Sequence, residues 1–266
     1  MDLMRELVAD LRDETASLQA LLSPLEPAGW ELPTPAEGWA IRDQISHLAY
    51  FDDAAVGAAT DPAAFRAAAA ALTSADEPVE RARSMAPAEV HAWFGTARAA
   101  LLTALSGLDA RRRLPWYGPD MSAASFATAR LMETWAHGQD VADALGVTRE
   151  PAARLRHVAT IGVRALPYSF VVRGLAVPER PVRVELTMPG GQVWTAGPDG
   201  VPDVVRGPML DFCLLVTQRA HRDDTALEVS GQTAAAWTAI AQAFAGPPGR
   251  GRAPSGKARM PRPDAR

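Results

Sequence analysis

Leu3, Leu7, Leu11, Leu18 and Leu22 recur at spacings of 4, 4, 7 and 4. That rhythm keeps them on one side of a helix over residues 2–22, which Pro24 and Pro27 then stop. "WELPTPAEGW" (30–39) reads as a loop, and a second helix is predicted from Ile41 to Ala59, ending near "TDP". Residues 60–86 are alanine-rich and then charged, and read as a long connection holding one short helix. Pro87 suits the first turn of a third helix reaching Leu108, with Val90, Phe94, Ala97, Leu101 and Leu105 as its apolar stripe. After the loop "DARRRLPWYGPDM" (109–121), a fourth helix is expected from Ser122 to Leu145, closed by Gly146 in the C′ position. Four amphipathic helices with long connections predict a four-helix bundle over residues 1–148.

The pattern then changes. Residues 151–175 begin as helix and turn β-branched near "FVVRG". "PVRVELTMPGGQVWTAGPDG" (181–200) alternates apolar and polar positions around Gly190-Gly191, which marks a hairpin. "VPDVVRG" (201–207) adds a strand, "PMLDFCLLVTQRA" (208–220) a buried helix, "TALEVSG" (225–231) a strand and 232–245 a closing helix. The fold class expected is therefore α+β, a bundle followed by a small α+β domain over 149–246. From Pro247 the chain offers little to bury, and 247–266 reads as a disordered basic tail, a solvated end rather than an anion-binding arm.

Composition narrows the function classes. The 266 residues are 48% hydrophobic and 22% charged, which is globular rather than disordered composition. A net charge of −4 gives the folded part no electrostatic case for nucleic acid. Asp2, Arg5, Glu6, Asp10, Arg12, Asp13 and Glu14 leave no uninterrupted apolar stretch resembling a signal peptide in residues 1–22, and Arg164 and Arg173 interrupt the best membrane-span candidate. The single cysteine, Cys213, excludes a disulfide within the chain and lies in an apolar run, where a core thiol is inert. A cytosolic protein, monomer or homodimer, is expected. One lysine, Lys257, among many arginines, alanines and prolines is typical of a GC-rich genome and says nothing about chemistry.

Candidate chemistry centres on "LMETWAHGQD" (131–140). Residues four apart on a helix sit about 40° apart around its axis, so Glu133 and His137 share a face. Taken alone, the pair also describes a solvated surface couple. Phe126 and Asp140 lie along the same side, seven residues before and after Glu133, so that side is not simply charged. His47, between Ile45 and Leu48, reads as a core histidine, yet in a bundle the second helix can bring it opposite the fourth. Two imidazoles and a carboxylate leave coordination positions open, the pattern of catalytic zinc, which also suits iron or nickel. Asp140 either fixes the tautomer of His137 as an acceptor behind the ligand or is a surface carboxylate near the helix end. His91, His157 and His221 have no partner pattern and read as exposed or boundary residues. Trp30, Trp39, Trp116 and Tyr117 either line a pocket mouth or simply pack. No G-x-S-x-G, P-loop, G-x-G-x-x-G or H-E-x-x-H motif occurs.

"EGWAIRDQISHLAYFD" together with "ETWAHGQDVADALG" resembles the DinB-like superfamily. More narrowly, it resembles the mycothiol-dependent maleylpyruvate isomerase-like group of actinobacterial metal-binding proteins. "DFCLLVTQR" followed by "AFAGPPG" resembles one subfamily of that group. The resemblance implies a DinB-like metal-binding four-helix bundle with a smaller, wyosine-base-formation-like α+β domain. It carries His47, Glu133 and His137 over as metal ligands, and places Arg219, after "LLVTQ", where the isomerase branch has a site arginine on a helix. It also implies mycothiol as the thiol cofactor or cosubstrate. One departure is Ala40, where relatives have Ser or Thr, so Asp43 lacks its capping-box partner and the helix start is weakened.

Three functions are consistent with these residues. The first is a metal-dependent, thiol-using transferase or isomerase acting on a small molecule, with Arg219 pairing an anionic substrate or thiol. The second is a metal hydrolase with water as the nucleophile. The third is a non-catalytic metal or small-ligand binding protein.

Overall fold

The computed structural model describes residues 3–74 and 76–255, and the chain divides into two compact units between Arg149 and Glu150. In the first unit, α1 (Leu3–Leu22) is followed by a 3-10 turn at Pro27–Glu31 and by α2 (Ile41–Thr60). Leu7, Leu11, Leu18 and Leu22 are buried as the leucine rhythm requires, while Leu3 is exposed. At the start of α2, Ala40 has no side-chain acceptor, so half a capping box forms: the Ala40 N–H donates to Asp43 Oδ2 at 2.9 Å. Arg83 holds the same carboxylate, with Nε 3.1 Å from Asp43 Oδ1.

The connection after α2 holds two helices, α3 (Pro62–Ala71) and α4 (Glu77–Ala82), where one was expected. Each begins with a proline in its first turn, and the Asp61 carboxylate caps α3 by accepting from the Ala64 N–H at 3.0 Å. The third bundle helix, α5 (Pro87–Ser106), buries its whole predicted stripe from Val90 to Leu105. The following loop contains a clip too short to leave a pattern in sequence, β1 (Arg113–Leu114) antiparallel to β2 (Met121–Ser122). Ser122 then caps α6 (Ala123–Ala144), its hydroxyl accepting from the Ser125 N–H at 3.2 Å. Gly146, at φ 66, takes the left-handed slot after α6, with Gly146 N–H bonded to Asp143 O and Val147 N–H to Ala142 O. Helices α1, α2, α5 and α6 form the bundle, α2 packing on α5 and α6, and α1 on the same two. One part of its core joins Leu18, Leu22, Trp30, Ile41, Ile45, Leu48, Phe94 and Val141.

In the second unit, α7 (Leu155–Arg164) and α8 (Leu166–Val171) keep residues up to 171 helical, where β character was expected near "FVVRG". Tertiary contacts override local preference there: Phe170 and Ser169 are buried, and the Ser169 hydroxyl accepts from the Gln242 N–H at 3.0 Å. The hairpin forms around Gly190-Gly191, joining β3 (Arg183–Thr187) to β4 (Val193–Ala196). The strand β5 (Val204–Pro208) lies parallel to β3. It leads directly into α9 (Met209–Val216), and β6 (Glu228–Ser230) and α10 (Gln232–Thr238) complete the unit. The sheet order is β4-β3-β5-β6, with α9 packed on α7 and on β5. The fold is α+β, as the sequence predicts. Residues 247–255, read as the start of a loose tail, are tied down: Gln242 Nε2 donates to Pro247 O at 3.1 Å and the Ser255 hydroxyl to Asp224 Oδ1 at 2.6 Å. The rest of the expected tail, 256–266, lies outside the described residues.

Candidate metal centre

The bundle brings His47 of α2 against Glu133 and His137 of α6. One ligand atom from each lies within 4.8 Å of the other two. His137 Nε2 is 3.1 Å and His47 Nε2 4.0 Å from Glu133 Oε2, and the two imidazole centroids are 4.5 Å apart. Burial pushes the half-buried Glu133 carboxyl up. The hydrogen bond from His137, with the positive charges of His137, His47 and Arg130, outweighs it and lowers the carboxyl from 4.5 to about 2. The group is thus anionic at neutral pH, as a ligand must be. Borderline imidazole nitrogens and one carboxylate oxygen fit zinc, iron or nickel, and three protein donors do not fill a tetrahedral sphere.

Aromatic rings wall the cluster. Trp39 stacks over His137 at 6.0 Å and 15° and lies 5.2 Å from His47, which also meets Phe51 at 4.6 Å. Phe51 in turn meets Trp116 and Tyr117, which contact Phe65. Of the four loop aromatics, Trp39 borders the candidate site directly, and Trp116 and Tyr117 reach it through Phe51. Trp30 belongs to the core instead and sits 5.3 Å from His91.

Other expected residues fall elsewhere. The His137 Nδ1 partner is Gln44 Oε1 at 2.5 Å, so Gln44, not Asp140, is the group placed to orient that ring. Asp140 is buried on α6 rather than a surface carboxylate. Arg219 is in the second unit, beyond the end of α9 rather than on a helix, because the Arg219 and Gln218 N–H groups bond back to Leu214 and Leu215 and close the helix at Val216. Its Nη1 donates to Thr217 O at 2.6 Å. His157 is buried, not a boundary residue, and His221 caps a short 3-10 turn by accepting from the Asp223 N–H at 3.1 Å. Cys213 is buried, and burial raises its thiol well above the ordinary range.

Sequence reading missed a charged network behind the donors. Asp52 is fully buried and accepts from Arg98 Nε at 2.6 Å and from Arg130 Nη2 at 2.8 Å. Arg98 also reaches Thr15 at 2.5 Å and Thr134 at 3.0 Å, so the network ties all four bundle helices together. The available signal was positional: Arg98 follows Ala97 on the apolar side of α5, and Arg130 precedes Glu133 by one turn.

The model of the mycothiol maleylpyruvate isomerase N-terminal domain matches residues 11–142, which include His47, Glu133, His137 and Gln44. Two uncharacterized proteins of Mycobacterium tuberculosis, from two strains, are each 47% identical over 250 residues, 92% of this chain and 97% of theirs. The chain belongs to the mycothiol-dependent maleylpyruvate isomerase-like family. Crystal structures of the mycothiol-dependent maleylpyruvate isomerase and of a histidine-to-alanine mutant share the fold. Their TM-scores are 0.59 and 0.58 at 18% and 17% identity, over 83% of this chain and 92% of theirs. Among the described residues, no helix is long and apolar enough to cross a membrane.

Proposed function

We propose that this family member is a metal-dependent enzyme that uses a low-molecular-weight thiol of the mycothiol kind for S-transfer or isomerisation of a small organic substrate. The observation that carries the reading is the convergence of three donors, His47, Glu133 and His137, within 4.8 Å. A divalent cation bound there, zinc by preference, would lower the proton affinity of an incoming thiol and supply a thiolate near neutral pH. The chain's own residues prepare that chemistry. Glu133 is held anionic by the neighbouring imidazoles and Arg130. Trp39 and Phe51 shield the imidazoles from water, which strengthens every charge interaction between them. The sulfur comes from outside, because the Cys213 thiol is buried and resists deprotonation. Arg219 keeps the role that the resemblance gives it, pairing with an anionic group of substrate or thiol.

Metal analysis of protein purified without chelators, followed by a mycothiol titration, tests this. The expected result is bound metal in the wild type, strongly lowered in His137→Ala, with saturable mycothiol binding only when metal is present. Full occupancy in His137→Ala rejects the donor set. Metal-dependent turnover that ignores mycothiol points to water as the nucleophile instead. Arg219→Ala is expected to keep its metal and lose ligand affinity; if it unfolds, the residue is structural.

A further inference from the structure

Gln44 precedes His47 by one turn of α2, so both side chains leave the helix toward α6. The residue is fully buried, where an amide must satisfy both of its ends. Those ends look alike in electron count, and the neighbours decide which way the amide points. Thr34 Oγ1 lies 2.8 Å from the Trp39 carbonyl oxygen and 2.8 Å from Gln44 Nε2. A carbonyl oxygen only accepts, so the single hydroxyl proton of Thr34 goes to Trp39. Thr34 is then an acceptor toward Gln44, which turns the amide nitrogen to Thr34 and the amide oxygen to His137. That oxygen is 2.5 Å from His137 Nδ1, and because it can only accept, Nδ1 must hold a hydrogen. The opposite ring nitrogen, Nε2, is the one that faces Glu133. Any proton at Nε2 is shared with Glu133 and is the proton a cation would displace.

We propose that Gln44, aimed by Thr34, is a positioning residue that holds the proton of His137 on Nδ1 and so presents Nε2 to the cation; this rests on the reading of His47, Glu133 and His137 as a metal set. A hydrogen bond from the non-ligating nitrogen fixes both the tautomer and the ring orientation of a metal-binding histidine. A neutral amide does this without adding a second negative charge beside Glu133. The relay ends on the loop that carries Trp39, whose ring stacks on the same imidazole, so the loop and the ligand are held as one piece. Thr34 N–H to Trp39 O at 2.8 Å and Ile41 N–H to Leu32 O at 3.1 Å close that loop on itself.

The test compares the wild type with Gln44→Leu, Gln44→Glu and Thr34→Val. Long-range proton–nitrogen correlation spectra of nitrogen-15-labelled protein read the His137 ring before and after zinc, and competition with a chromophoric chelator reads zinc affinity. In the wild type, Nδ1 should be protonated in both states and the Nε2 signal should move on zinc addition. Gln44→Leu should lose the single ring state and about 10- to 100-fold in zinc affinity while still folded at the assay temperature. Gln44→Glu keeps an acceptor for Nδ1 and should rescue the ring state, although it offers Thr34 no donor, while Thr34→Val, which frees the amide to flip, should fall between wild type and Gln44→Leu in both readings. A Gln44→Leu protein that keeps the Nδ1 proton and the wild-type zinc affinity overturns the role. So does a wild type ligating through Nδ1. If Gln44→Leu does not fold, Thr34→Val decides: wild-type ring state and affinity in that variant reject the relay. Zinc uptake by none of the proteins, the wild type included, sinks the metal reading itself and the proposal with it.

Discussion

At the scale of single residues, the buried charges set the terms. Asp52 neutralises one of two guanidiniums, and burial works to lower the affinity of Arg98 for its proton while Asp52 opposes that. Replacing Asp52 with Asn removes the carboxylate that both Arg98 and Arg130 bond and leaves two buried guanidiniums side by side. The expected cost is about 3–5 kcal/mol of stability, read from urea denaturation. Glu133 gives a pH signature. Its carboxyl is lowered from 4.5 to about 2 in the folded metal-free protein, so its contribution is complete above the unfolded value and is lost as pH falls toward 2. Urea midpoints should therefore drop from pH 5 to pH 3, and Glu133→Gln should flatten that drop. Cys213 should react with a thiol-specific reagent only once urea unfolds the chain; fast modification of folded protein would contradict its burial. Among the candidate donors, periodicity puts Glu133 and His137 on one face, but their reading as ligands together with His47 came from the resemblance. Gln44 was not legible, because its role depends on a hydroxyl ten residues away and on a ring in another helix. Nor was the Asp52 network, since a lone acidic residue on an amphipathic helix looks the same whether it meets water or arginine.

At the scale of elements, the helix ends explain where reading by pattern works. Gly146 was recognised as a helix stop because only glycine adopts φ near 66 at little cost. A Cβ there would meet nothing within 4 Å, so Gly146→Ala isolates the backbone term. It should lower stability by about 1 kcal/mol, visible as a reduced melting temperature. The end of α9 uses the same device without glycine. Gln218 takes the left-handed position at φ 61, anchored by its Nε2 to Ala241 O at 3.1 Å. Nothing in the local sequence announces that stop, and so Arg219 was expected on a helix that ends at Val216. The extra helix α4 and the β1–β2 clip escaped notice for another reason: six and two residues are too few to display a period.

At the scale of the whole molecule, the division between Arg149 and Glu150 leaves every donor of the candidate metal centre in the first unit, together with Gln44, Thr34 and the core that supports them. A fragment of residues 1–149 is expected to fold and bind zinc with an affinity close to that of the full chain, checked by circular dichroism and chelator competition. The bundle was readable because four long apolar stripes leave few alternatives, and the α+β remainder because its hairpin is marked by paired glycines. How the two helices register against each other was not readable, since periodicity gives a side chain's direction and not its height along the bundle. The sealed sulfur of Cys213 has a practical corollary. Cysteines introduced at chosen surface positions become the sole targets of maleimide dyes, so donor–acceptor pairs can be installed across the two units, and their separation followed as zinc is added, without first deleting a native residue.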